Sequence, residues 1–355
     1  MTHAPPQVSI GAIACARPDH DIHHAFINWA VDQVSDPRER RLFERMAARS
    51  GIDHRWSVLP PTVRGGSPVD VGGFYALPSP PPASVRMHAY AAHAPELALA
   101  AIEKLDIDVR SATHIVVASC TGFIAPGIDQ ILARKLGLAA SVERLLIGFM
   151  GCYAGVTALR TARHIVRSEP RAKVLVVCVE LSTLHLEQTG AIEPLLAMLQ
   201  FSDGAAAAWV SADDGPIMLG DGLSLALPQS EDLIRWDITE AGFVMRLSGE
   251  VPHRIEAALR EDATHKALFG SAMPAILAVH AGGRSILDAV ERALGLDPAA
   301  LESSRAILCE SGNMSSATVL FVIERMLRNG ATGPGLALAF GPGLAAEAIG
   351  LDFGA

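Results

Sequence analysis

Apolar residues along this chain fall into two patterns, short continuous runs and stripes at helical spacing, and the two alternate. Val8-Ser9-Ile10-Gly11-Ala12-Ile13-Ala14, His114-Ile115-Val116-Val117-Ala118-Ser119, Lys173 through Glu180 and Ala205 through Val210 read as strands, of the kind covered on both faces. Helices are predicted around His24 to Val34, from Pro37 to Arg49, from Pro95 to Lys104 and from Pro126 to Leu136. Another follows Cys152, where Val156, Leu159, Ala162 and Val166 recur on one face. The stretch from Trp56 to Val85, with Leu59-Pro60-Pro61 and Pro78-Ser79-Pro80-Pro81-Pro82, predicts irregular surface or an entrance. Further on, Ala275 to Val279 is strand-like and leads to His280, ahead of a helix from Ser285 to Leu294. Arg305 to Cys309 is also strand-like, and leads through Glu310-Ser311-Gly312 to Asn313 and a last helix.

The second half echoes the first. Aligning Gly151-Cys152 with Gly312-Asn313 also lays Thr157 on Thr318, Leu159 on Leu320, Arg167 on Arg328, and the strand Val174–Glu180 on Gly335–Phe340. A glycine-led polar residue, a helix and a strand in the same order predict a duplicated α/β core of layered halves. Ala212-Asp213-Asp214-Gly215 marks the break, giving halves 1–214 and 215–355.

Composition narrows the class of function. With 355 residues, half of them apolar, the chain can bury a large interior. A net charge of −9 argues against a nucleic-acid surface, and no apolar run is long enough to span a bilayer. Met1 to Pro6 has no secretory character, and the five cysteines show no disulfide spacing, so a reducing, cytoplasmic setting is expected. Among the thirteen histidines, His23-His24 stand beside no second ligand pair, and no metal is expected.

Three polar residues carry the candidate chemistry. Cys152 follows Leu145-Leu146-Ile147-Gly148-Phe149-Met150-Gly151 at the start of a helix, where unpaired N–H groups and the helix dipole favour a thiolate. The plain alternative is a buried structural cysteine. His280 and Asn313 sit, like Cys152, where a strand-like run meets a helix, and such junctions gather on the ligand side of an α/β sheet. Singly, a histidine there is a core residue and an asparagine an N-cap. Jointly they supply a nucleophile, a base and an amide donor for an oxyanion, as acyl transfer through a thioester requires. Cys178 and Cys309 fall within apolar strand-like runs. Arg38, Arg40, Arg41, Arg45 and Arg49 crowd one short helix, either as a solvated face or as a site for an anion.

The residues also carry a resemblance. Gly148-Phe149-Met150-Gly151-Cys152-Tyr153-Ala154-Gly155, Val279-His280-Ala281-Gly282-Gly283 and Gly312-Asn313-Met314-Ser315-Ser316-Ala317-Thr318 are similar to the three signatures of type III polyketide synthases, in the same order. Phe201-Ser202-Asp203-Gly204 and Phe340-Gly341-Pro342-Gly343 extend the likeness over nearly the whole chain. The resemblance implies a thiolase fold, a homodimer, acyl-CoA and malonyl-CoA as substrates, and no metal or organic cofactor. It implies that Cys152 carries the starter and the growing chain, with His280 and Asn313 assisting decarboxylation and condensation. Phe201 then matches a gatekeeper, Arg45 and Arg49 match positions that hold coenzyme A phosphates, and Ser315 lines the cavity. Cys120, Thr121, Ser182 and His185 fall where the family varies that lining. Met245 stands where plant members have a second gatekeeper phenylalanine, and Ala125 where they send a methionine into the partner's cavity. The Cys120-Thr121-Gly122-Phe123 run resembles bacterial members that use long-chain starters. The product implied is a pyrone or a resorcinol-like ring.

Two other readings meet the same residues. An initiating ketoacyl-carrier-protein synthase also needs Cys, His and Asn, but would show a Gly-Asn-Thr-Ser run and a His-Gln helix start, both absent. An inert scaffold subunit would have lost a member of the triad, and all three are present.

Overall fold

The computed structural model describes residues 6–62, 67–70, 72–75, 80–270 and 272–354. Met1 to Pro5 and most of the Pro78-Ser79 segment therefore lie outside the described residues. The chain opens with β1 (Ser9–Ala16), β2 (His20–Asp21), α1 (His23–Gln33), α2 (Pro37–Ala47), β3 (Trp56–Ser57) and α3 (Ala83–Glu103). Next come β4 (His114–Ser119), α4 (Ile128–Lys135), β5 (Glu143–Gly148), α5 (Ala154–Ser168), β6 (Val174–Leu181), α6 (Ile192–Met198) and β7 (Asp203–Ser211). The second half runs β8 (Ile217–Ala226), β9 (Ile234–Thr239), β10 (Gly242–Leu247), α7 (Val251–Arg260), α8 (Asp262–Phe269), β11 (Ile276–Val279) and α9 (Arg284–Leu294). It closes with α10 (Glu302–Ser311), α11 (Thr318–Arg328), β12 (Gly333–Gly341) and β13 (Ala345–Phe353).

Nine strands form one mixed ladder in the order β11-β12-β13-β8-β1-β7-β6-β4-β5. The seam between halves is short: β1 meets β8 only at Ser9–Met218 and Ile10–Ile217. On one side α5 and α11 pack together between the half-sheets, burying Val156, Leu159 and Ala162 with Val319, Leu320 and Ile323. Outside lie two further cores, one holding Phe26, Phe43, Tyr90 and Ala98, the other Ile255, Leu259, Leu287 and Val290. Helices, half-sheet, central helices, half-sheet, helices is the layering of the thiolase fold. It follows from strands such as β6, whose eight residues are all buried and can be covered only from both sides.

The fold corrects the sequence reading at two elements. Arg305 to Cys309 is not a strand but part of α10, started by Glu302 in the first turn and stopped by Gly312 at φ +64°. A run as short as Ala306-Ile307-Leu308 fits either element, and the helix-ending glycine decides it. Asn313 therefore follows a helix, not a strand. Pro95 does not open α3 but lies inside it, twelve residues from its start at Ala83. Its ring is buried with Ala94 and Ala98, so packing offsets the missing hydrogen bond.

Candidate active site

Cys152 reaches the seam because glycine lets the chain turn sharply. After β5 the backbone passes through positive φ at Phe149 (+57°) and Gly151 (+70°), and Gly151–Tyr153 forms one tight 3-10 turn before α5. A side chain on Gly151 would place its Cβ 2.5 Å from the Pro342 ring, so the turn is wedged beneath the end of β12. Gly155 has the same meaning one turn later, since a Cβ there would stand 2.2 Å from the Ser316 carbonyl oxygen. Cys152 and the Asn313–Ser316 segment are thus brought together by direct backbone approach.

Asn313 is held in one orientation. Its Oδ1 accepts the Ser315 N–H (2.8 Å) and faces the Thr318 hydroxyl (3.4 Å), which leaves the Nδ2 hydrogens for Gly282 O (3.1 Å) and Cys152 Sγ (3.8 Å). The backbone fixes the residue as well, because Asn313 N–H donates to Gln200 O and Asn313 O accepts the Ser202 N–H. Phe201 is bridged to it. His280 is 1 % exposed, and neither ring nitrogen has a partner among the described residues. An orphaned buried imidazole is available to a ligand. Cys152 and Asn313 meet directly, and the Asn313 amide also reaches the Gly282 carbonyl, two residues past His280.

Their protonation differs from the sequence expectation. Burial pushes the Cys152 thiol up to about 11, although Ser315 and Asn313 hydrogen bonds pull the other way, and burial pushes His280 down to about 3. A helix terminus contributes up to about 2 kcal/mol, too little to ionise a thiol against that desolvation. The empty site holds a neutral thiol and a neutral imidazole. A proton passed from sulfur to ring creates two buried charges, whose mutual attraction offsets part of the desolvation cost.

Beneath the cysteine lies a residue the sequence reading passed over. Glu180 is fully buried, and its carboxylate accepts from Cys120 N (2.9 Å), the Thr121 hydroxyl (2.9 Å) and the Ser316 hydroxyl (2.5 Å). It thereby ties β4, β6 and the Asn313 segment. A lone acid near the end of an apolar strand is the signal that marks it. Burial raises its pKa from 4.5 to about 7. The folded state thus holds this proton longer than the unfolded chain does, so stability falls as pH rises from about 4.5 to 7 and is level above. The loss is at most on the order of 3 kcal/mol. Glu180→Gln should therefore melt at a progressively higher temperature relative to the parent between about pH 5 and 7, with the difference levelling off above. A constant difference across that range would place the carboxyl in contact with water.

Four of the remaining sequence-predicted residues line one small chamber. Ser182, His185, Phe201 and Met245 face a space of about 30 Å³, closed by Phe243 and Trp236 from the β9–β10 hairpin. Met245 also borders an outer cavity of about 240 Å³. His185 stacks on Phe243 at 4.5 Å; its Nδ1 accepts the Phe243 N–H (3.1 Å), so Nε2–H donates to Thr121 O (2.7 Å). It pins the hairpin to the floor rather than moving protons. Cys120 is fully buried and accepts the Gly151 N–H at 2.9 Å, which makes it a support of the nucleophile's turn. The Ser182 hydroxyl and the Trp236 indole N–H are buried with no hydrogen-bond partner among the described residues, and so are free for a bound chain, whereas the Ser315 hydroxyl is set toward the Cys152 thiol. Trp236 was legible in the alternation Ile234, Trp236, Ile238 but was not singled out.

Arg45 and Arg49 are exposed on and just beyond α2, whose buried face is Phe43 and Ala47. Cys309 lies on α10 rather than in a strand, half-buried, with Sγ 3.1 Å from Asp53 Oδ2. Neither Cys309 nor the buried Cys178 touches the site. His23 serves structure, its Nδ1 accepting from Arg55 Nε. A grouping not anticipated from sequence is His114, Glu143 and Glu169, whose ligand atoms lie within 4.8 Å of one another away from Cys152.

A thiol at a helix start, against an oriented amide that also bonds the loop following His280, at the seam of a duplicated fold, defines a thiolase-type condensing acyltransferase. Comparison with known proteins gives the family. The profile of chalcone and stilbene synthases matches as its N-terminal domain over residues 9–214 and its C-terminal domain over 222–352. Curated relatives include a Mycobacterium tuberculosis protein named "Alpha-pyrone synthesis polyketide synthase-like Pks18", 30% identical over 91% of this chain and 86% of the relative. Another is "Type III polyketide synthase A" of Arabidopsis thaliana, 36% identical over 72% of this chain and 69% of the relative. Among solved structures, PKS-I of the brown alga Ectocarpus siliculosus superposes with a TM-score of 0.87 at 28% identity, covering 99% of this chain and 100% of the alga's. The chain belongs to the chalcone and stilbene synthase family and is a type III polyketide synthase. Among the described residues no helix is long and apolar enough to cross a membrane.

Proposed function

We propose that Cys152 takes an acyl group from a coenzyme A thioester and extends it with malonyl-CoA, and that the chain is released as a pyrone or a resorcinol-like ring. The observation that carries this is the Cys152 sulfur set against the oriented Asn313 amide, which also bonds the Gly282 carbonyl of the loop that follows the unpaired His280 ring. In loading, the thiol gives its proton to His280, sulfur bonds the acyl carbon, and the coenzyme A thiolate leaves with that proton. Malonyl-CoA then loses carbon dioxide, and the electron pair of the broken C–C bond becomes an enolate. Its oxygen accepts from Asn313 Nδ2–H and a ring N–H of His280. The enolate carbon attacks the Cys152 thioester, the C–S bond breaks, and the chain, longer by two carbons, is left on coenzyme A to load again. No metal or organic cofactor enters this scheme. Phe201 and Met245 border the chamber that receives the chain, with Cys120, Thr121, Ser182, His185 and Ser315 in its walls and floor.

The same reading divides the chain at 214/215, the first part holding the nucleophile and the second His280 and Asn313. It makes the working form a cytoplasmic homodimer. β5 is a sheet edge whose Leu145 and Leu146 are 44 % and 43 % exposed, and just past its end Phe149 meets the exposed ring of Phe123, so that a second copy of this chain suits so apolar an edge. Arg45 and Arg49 are read as holding coenzyme A phosphates at the mouth. Arg45→Ala and Arg49→Ala should raise KM for malonyl-CoA with little change in kcat, and the effect should shrink for a pantetheine thioester lacking the phosphoadenosine. Equal losses on both substrates would make the arginines structural. The decisive experiment feeds malonyl-CoA with acyl-CoAs of graded length and weighs the products. Masses of starter plus successive two-carbon units support the proposal; extension only with malonyl-carrier protein, or none, overturns it.

A further inference from the structure

Arg55 is fully buried, yet it lies outside the chamber and outside the exposed arginine group. Its Nη1 donates to both Met198 O (2.9 Å) and Phe201 O (3.0 Å), its Nε donates to His23 Nδ1 (3.1 Å), and its Nη2 has no partner. The plane sits 4.3 Å over the Phe26 ring. Removing a guanidinium from water with one nitrogen unpaired is costly, and a well-packed apolar side chain would stabilise such a place as well. What an apolar residue lacks is the fork. Here it caps the last carbonyl of α6 and grips the carbonyl three residues on, which belongs to Phe201.

The neighbours of Arg55 complete a clamp. Asp53 N and His54 N donate to Cys309 O (2.8 and 3.1 Å), and Trp56 Nε1 donates to Glu310 O (2.8 Å), so the Asp53–Trp56 segment grips the end of α10. Trp56 N donates to the Ser202 hydroxyl (2.6 Å), and a side chain on Gly312 would place its Cβ 3.0 Å from Arg55 Cγ. One segment thus holds the Met198–Phe201 turn and the Glu310–Asn313 turn, which also bond each other through Asn313 N to Gln200 O and Ser202 N to Asn313 O.

We propose that Arg55 is a positioning residue for the condensation, fixing the Phe201 ring and the Asn313 amide relative to each other from behind. This rests on the roles given to those two residues above. Misplacing a reacting group by about 1 Å costs on the order of 10²-fold, so Arg55→Lys and Arg55→Gln should lower kcat for malonyl-CoA decarboxylation by about 10- to 100-fold. Lys, which keeps the charge but not the fork, should retain more activity than Gln. KM for malonyl-CoA and the acylation of Cys152 should change little, because neither depends on the amide's placement.

Peptide-level hydrogen exchange gives a readout independent of activity. The peptides spanning 199–203 and 312–316 should exchange faster in both variants, with those of β4 and β6 unchanged. If acylation, decarboxylation and melting temperature fall together and exchange rises throughout, Arg55 is only a buried support and the proposal fails. Folded variants with the parental decarboxylation rate also overturn it. Should neither variant fold, Ser202→Ala unhooks the same turn without emptying a charged site. It should give the same split in smaller measure, and its absence there counts against the clamp. If the parent protein itself fails to decarboxylate malonyl-CoA, the proposed function falls, while exchange at the two turns still decides whether Arg55 holds them.

Discussion

Cys152→Ala should lower polyketide formation by about 10⁴-fold or more, while the variant continues to release carbon dioxide from malonyl-CoA. The two outcomes separate because they depend on different atoms. Starter transfer needs a sulfur to bond the acyl carbon, and no other thiol is placed to replace it: Cys120 and Cys178 are fully buried, Cys15 lies within β1, and the Cys309 sulfur on α10 sits 3.1 Å from Asp53 Oδ2. Decarboxylation needs no nucleophile, only donors for the enolate oxygen. Those are His280, whose ring nitrogens are unpaired, and Asn313, whose amide is oriented by Ser315 N–H and the Thr318 hydroxyl rather than by the cysteine. Intact-protein mass spectrometry should show no starter on the variant, and carbon dioxide release should stay within a few-fold of the parent's. Acyl mass on the alanine variant would identify a different nucleophile.

Sequence pattern reached the fold and the triad by separate routes. Strands β4, β6 and β7 are buried from end to end and apolar through their middles, the pattern a strand in a covered sheet leaves. The offset that lays Cys152 on Asn313 also lays α5 on α11 and β6 on β12, so the central helical layer was visible as a repeat. It misled at one place. The repeat suggests a strand ahead of Asn313, whereas Glu302 and Gly312 make α10, a local signal that pattern matching across halves ignores. The β9–β10 hairpin escaped because its outward positions are charged, Arg235, Asp237 and Arg246, and its inward ones are mixed in size. The alternation marks Trp236 as an inward residue of β9, but its meeting with Phe243 at the chamber is seen only in three dimensions. Protonation was the least legible property. A helix start argues for a thiolate, but the depth of burial that reverses it depends on residues scattered from Gly151 to Pro342.

Asn313→Ala should give the converse of the cysteine variant. Loading uses Cys152 and its partner base, and the Asn313 amide makes only a long hydrogen bond, 3.8 Å, to the sulfur. Malonyl decarboxylation, by contrast, builds a full negative charge on the thioester oxygen inside a site from which water is excluded. Losing one such donor costs about 10²–10³-fold, or roughly 3–4 kcal/mol, and the cost falls only on the step where the charge develops. The variant should acquire the starter's mass on Cys152, release carbon dioxide at about one hundredth of the parental rate or less, and yield no elongated product. The backbone bonds to Gln200 and Ser202 do not involve the side chain and should keep the turn in place. The side chain does accept the Ser315 N–H, so a structural contribution is testable in the same variant. If loading and decarboxylation fail by the same factor in a folded protein, Asn313 is holding the start of α11, and the enolate is stabilised by His280 without it.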